Sequence, residues 1–143
     1  MQAFLFLTAL AAASAVDCRK RTIPDFLCLL TAAAGLISFS PAQFFGVLAA
    51  LPLLIAALIR PECMGGGDIK LLCLTGLYLG WMKNLLCLLL ACVLGIVFAL
   101  VTLKRRGTEG DARLIPWGPS ISAAAILTLL WGDAITAAYL SLF

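Results

Sequence analysis

Six apolar runs, joined by connections of three to eleven residues, leave this chain little choice of fold. They extend from about Ala3 to Val16, Pro24 to Phe39, Phe44 to Ile59, Ile69 to Trp81, Leu85 to Leu103, and Ile115 to Leu130 or beyond. Hydrophobic residues make up 64% of the chain and charged ones only 12%. A soluble domain carries about 25% charge, so the expected environment is a lipid bilayer. Several runs fall short of the roughly 20 residues that a straight spanning helix needs, but short runs recruit their flanks or thin the bilayer. Backbone groups in lipid must pair within their own segment, which selects helices. The expectation is an all-α polytopic membrane bundle of about six transmembrane helices, forming one domain over residues 1–143.

Charge asymmetry orients the bundle. With the amino terminus outside, nine of the ten Lys/Arg residues fall on the cytoplasmic side, and only Lys83 lies outside. That bias follows the positive-inside rule. Both termini then face outward, in the cell membrane. Ala13-Ser14-Ala15 looks like a signal cleavage site, but no positive charge precedes the first apolar run. A secretory signal has that charge, so the run is expected to stay as a span.

Outer turns are expected at Ser38–Pro41 and Met82–Asn84, and a flexible inner loop over Lys104–Arg113. Pro52 should kink the third segment. Gly35, Gly46, Gly80 and Gly95 are expected to permit close helix packing. The six cysteines form no C-x-x-C pair and histidine is absent, so no metal site is expected. The cysteines read as packing residues.

Two aspartates stand out. Asp17 closes the first apolar run, and Asp68 precedes the fourth within Gly65-Gly66-Gly67-Asp68-Ile69-Lys70-Leu71. Carboxylates beside a bilayer need a partner, a wet cavity or a task. Asp68 alone also reads as a helix cap, placed where the dipole lowers its pKa. Asp17 alone reads as an interfacial residue balancing Arg19, Lys20 and Arg21. Together they form a candidate acid–base pair, in which one ionised carboxyl activates water and one protonated carboxyl polarises a carbonyl. Three glycines free the backbone beside Asp68 and let another chain approach.

These residues also carry a resemblance. Asp17 followed by Ile23-Pro24, the run Gly65-x-Gly67-Asp68-x-Lys70-Leu71, and Ile115-Pro116-Trp117-Gly118-Pro119 resemble the motifs of the type IV prepilin peptidase family. The resemblance implies an aspartic endopeptidase that removes the basic leader of prepilins or pseudopilins at the cytoplasmic membrane face, after a glycine. It assigns Asp17 and Asp68 as the catalytic pair. It makes Gly65, Gly66 and Gly67 the substrate loop, with Lys70 as a local charge partner or a snorkelling lysine. It implies no metal, no cofactor and no nucleic-acid partner.

Larger members carry a cytosolic insertion with two C-x-x-C pairs between the first spans and also N-methylate the new terminus. Asp17 to Pro24 holds no such insertion, so peptidase activity alone is expected. The competing readings are a non-enzymatic assembly subunit and a small proton-coupled transporter, since intramembrane acids also mark ion pathways. Transporters more often place polar residues near the bilayer midplane. Glu62, Asp25, Glu109, Asp111 and Asp133 read as solvated or terminal charges.

Overall fold

The structure, a computed structural model, describes residues 1–20, 24–37, 40–59, 65–106 and 117–141. Among the described residues every element is helical: α1 (Gln2–Lys20), α2 (Asp25–Leu36), α3 (Pro41–Phe44), a 3-10 stretch (Phe45–Ala50), α4 (Leu51–Ile59), α5 (Gly66–Leu79), α6 (Trp81–Arg106) and α7 (Gly118–Leu140). α3, the 3-10 stretch and α4 follow one another without a break, so the described residues form six rods, one for each apolar run.

Pro52 explains the 3-10 stretch. Its ring nitrogen cannot donate to the Leu48 carbonyl one turn back. The Leu51 N–H takes that carbonyl instead, in the tighter i→i−3 pattern, and α-helix resumes beyond it. The expected kink is therefore a change of helix type.

The expected outer turn at Met82–Asn84 is corrected. Those residues lie inside α6, and the chain reverses at Gly80 alone, with φ 78° and ψ 177°. Only glycine enters that region without strain. Apolar Trp81 hid the break in the sequence. Gly80 is thus a turn residue rather than a packing one. Gly35 and Gly46 do serve close packing. A Cβ on Gly35 would come within 2.9 Å of the Leu77 Cβ, and one on Gly46 would overlap the Gly76 carbonyl. Gly95 makes only ordinary contact with the Trp117 ring, at 3.6 Å from where its Cβ would be.

α5 is the central rod, packed on α2, the 3-10 stretch, α6 and α7, while α1 bridges α2 and α7. Asn84, fully buried, ties three of these together. Its amide donates to the Gly46 and Leu72 carbonyls at 2.8 and 3.1 Å, and its oxygen accepts from the Thr75 hydroxyl at 3.1 Å. α1 belongs to the same core: Phe6, Leu10 and Ala13 are buried, and the Ser122 hydroxyl donates to the Leu10 carbonyl.

Trp81–Thr102 and Gly118–Leu140 are long and apolar enough to cross a membrane, with only 22% and 33% of their apolar windows buried. A core helix of a water-soluble protein would be mostly buried. Phe26, Leu58, Leu89, Ile96, Leu100 and Leu130 all point outward, an apolar exterior that water does not favour.

Candidate active site

Phe6 and Tyr78 stack, with ring centroids 4.1 Å apart, and so fix the register of α1 against α5. Asp17 lies eleven residues beyond Phe6, and Asp68 lies ten residues before Tyr78. The helices run in opposite directions. At about 1.5 Å per residue, both aspartates therefore stand about 15 Å from the stacked rings, at the same end of the bundle. Each is more than nine-tenths buried, at 5% and 8% exposure. Each lies just outside its apolar run, Asp17 after Val16 and Asp68 before Ile69.

Their surroundings differ. Asp17 occupies the last turn of α1, and its Oδ2 accepts the backbone N–H of Gly118 at 2.9 Å. Gly118 is the first residue of α7, so its N–H is one of the donors a helix start leaves unpaired. The dipole of α7 offsets the unfavourable carbonyl end of α1. Burial raises the Asp17 pKa, and the Gly118 hydrogen bond opposes that rise. The contact demands glycine, because a Cβ at position 118 would lie 2.6 Å from Asp17 Oδ2.

Asp68 is the third residue of α5. Gly65 holds the cap position, without a side-chain cap bond. The expectation that the helix start lowers the Asp68 pKa is corrected: burial first, and the charge of Asp17 second, push it up to about 7. Its Oδ1 is buried and accepts no hydrogen bond among the described residues. That Asp17 perturbs Asp68 puts the two carboxyls within electrostatic reach of each other.

The glycine run is less of a loop than expected, since Gly66 and Gly67 already belong to α5. Gly65 is extended, with φ −69° and ψ 136°, a conformation open to any residue. Its lack of a side chain matters for space: a Cβ there would sit 3.3 Å from Asp68 Oδ2, whereas one on Gly66 would meet nothing within 4 Å. Lys70 does have a charge partner, Asp25 of α2 at 2.7 Å, and both are exposed. Asp25 thus has a specific contact that the sequence did not reveal. Asp133 pairs with Lys83 at 2.8 Å near the opposite end. Cys18, Cys28, Cys73, Cys87 and Cys92 are free thiols. Thr22, Ile23, Glu62, Cys63, Glu109, Asp111, Ile115 and Pro116 lie outside the described residues.

Gly118 is the residue that sequence reasoning missed. It stood within a quoted motif, but its contact is a backbone N–H reaching 101 positions along the chain.

Comparison with known proteins bears on the family. The profile of the type IV leader peptidase family matches residues 4–100. A prepilin leader peptidase/N-methyltransferase of Pseudomonas aeruginosa is 36% identical over 152 aligned positions, covering 96% of this chain and 52% of the relative. A protein of the same name from Stutzerimonas stutzeri is 37% identical, with the same coverage. One from Bacillus subtilis is 29% identical, covering 98% of this chain and 59% of the relative. The chain thus spans about half the length of the curated relatives it matches. No solved structure matches it.

Proposed function

The chain belongs to the type IV leader peptidase family, and from that membership we propose that it is a multi-pass membrane aspartic endopeptidase with Asp17 and Asp68 as its catalytic pair. It acts on prepilins or prepilin-like proteins, cutting the short basic leader after a glycine at the cytoplasmic face of the cell membrane. The observation that carries this reading is the shared burial of two interacting carboxyls at one end of the bundle. Such a pair holds one proton between two acids, the arrangement that activates water against an amide.

Six spans with both termini outside are supported by the six rods and by the charge bias. Arg19, Lys70 and Lys104 belong to the ends of rods that share the aspartate side, and Lys83 belongs to the other. Gly65 leaves space beside Asp68 where a scissile backbone could lie. We assign peptidase activity without N-methylation, because Asp17 to Pro24 lacks the paired-cysteine insertion. No metal or cofactor takes part in this scheme.

The purified protein in lipid should shorten a prepilin bearing a basic leader, and mass spectrometry should find the new amino terminus immediately after the glycine. Chelators should leave the rate intact. Failure on every basic leader offered, or cutting elsewhere, contradicts the proposal.

A further inference from the structure

We propose that the two aspartates are not equivalent at rest: Asp17 is the ionised base, held by the Gly118 N–H, and Asp68 is the neutral acid. This rests on the peptidase reading above and adds a role for each carboxyl and a positioning role for Gly118.

Geometry separates the two. Asp17 Oδ2 accepts a backbone donor at 2.9 Å from the first residue of α7, where the helix dipole favours an anion. Asp68 is equally buried, yet its Oδ1 accepts nothing among the described residues. A buried, unpaired carboxylate is strongly disfavoured, so this is the group that keeps the proton. The neighbouring charges do not reverse the order. α5 brings Lys70, but its ammonium is bonded to Asp25 of α2. α1 brings Arg19, which is exposed, and the described first turn of α7 has no charged residue.

The step then balances. Asp17 takes a proton from water as its oxygen attacks the carbonyl carbon, and Asp68 gives its proton to the carbonyl oxygen. Asp17 next returns its proton to the amide nitrogen as the C–N bond breaks. Asp68 recovers a proton from the diol oxygen. One water is consumed, and both acids regain their starting states.

Infrared titration of the carboxyl stretch tests the assignment without any substrate, so it is independent of whether a prepilin is cut. The wild-type protein should keep one carboxyl protonated up to about pH 7, since burial and Asp17 push Asp68 that far. Asp68→Asn should remove that band. Asp17→Asn should keep it with a lower midpoint, because the neighbouring charge has gone. Survival of the band at an unchanged midpoint in Asp68→Asn overturns the assignment. Gly118→Ala tests the positioning role, because its methyl must displace the Asp17 carboxylate. Losing a hydrogen bond to the charged form should move the acid limb of the cleavage profile up by roughly one pH unit. kcat on the acid limb should fall by up to about tenfold, with KM unchanged. A wild-type pH profile in a folded Gly118→Ala protein overturns that role. If Gly118→Ala does not fold, the two asparagine variants still decide the assignment.

Discussion

Asn84 and Asp68 are both buried polar side chains, on the two helices that meet at Gly80, and they are treated in opposite ways. Every hydrogen-bonding group of the Asn84 amide that the network uses has a backbone or hydroxyl partner, and those partners lock α5, α6 and the 3-10 stretch together. Asp68 has a buried oxygen with no such partner among the described residues. A satisfied buried network specifies packing. An unsatisfied buried acid is a liability for the fold, which the proposed function explains by chemistry with a molecule that arrives later. One end of the bundle is locked by a satisfied polar network, and the other holds the acids proposed to react.

The largest effects should come from removing the acids. Asp17→Asn and Asp68→Asn should each lower prepilin cleavage by about 10²–10⁴-fold or more, measured by gel shift, while leaving the thermal midpoint within a few degrees. Near-normal cleavage in either variant would break the contrast. Asn84→Ala should do the reverse. It removes three buried hydrogen bonds between α6, α5 and the 3-10 stretch, which costs about 3 kcal/mol of stability in a detergent melt, with the pH profile of the remaining activity unmoved.

The pH dependence is the next test. In the proposed mechanism Asp68 acts protonated, and its pKa is raised to about 7. Cleavage should therefore fall as pH rises through about 7, the direction expected for an acid with an elevated pKa. Glycine substitutions sharpen the picture further. Gly65→Ala crowds Asp68 Oδ2 and should slow cleavage several-fold, whereas Gly66→Ala faces open space and should be nearly silent. The smallest effect belongs to Lys70→Ala. Its pair with Asp25 is exposed on both sides, so stability should change by about 0.5 kcal/mol or less.

Much of this was legible in the sequence. Apolar runs gave the rods, because lipid leaves the backbone no alternative to the helix. Asp17 and Asp68 were visible as charges at the margins of those runs. What escaped notice were features made by tertiary contact. Gly80 acts through one positive φ that an adjoining tryptophan masked. Asn84 looked like a turn residue until α6 was seen to begin at Trp81. Gly118 works through its main chain, which no side-chain pattern displays. The burial of Asp68, which overrides the helix dipole, depends on neighbours far along the chain.

The central claim is that α1 and α5 deliver their acidic ends to a single place. Cysteines put in at positions 17 and 68, in a chain whose six native cysteines are replaced by serine, should be joined by a short bifunctional thiol reagent in native membranes, and neither single-cysteine chain should react that way. If the paired chain stays unjoined while each cysteine can be labelled only from the opposite membrane surface to the other, the two acids do not share a site and the account is wrong.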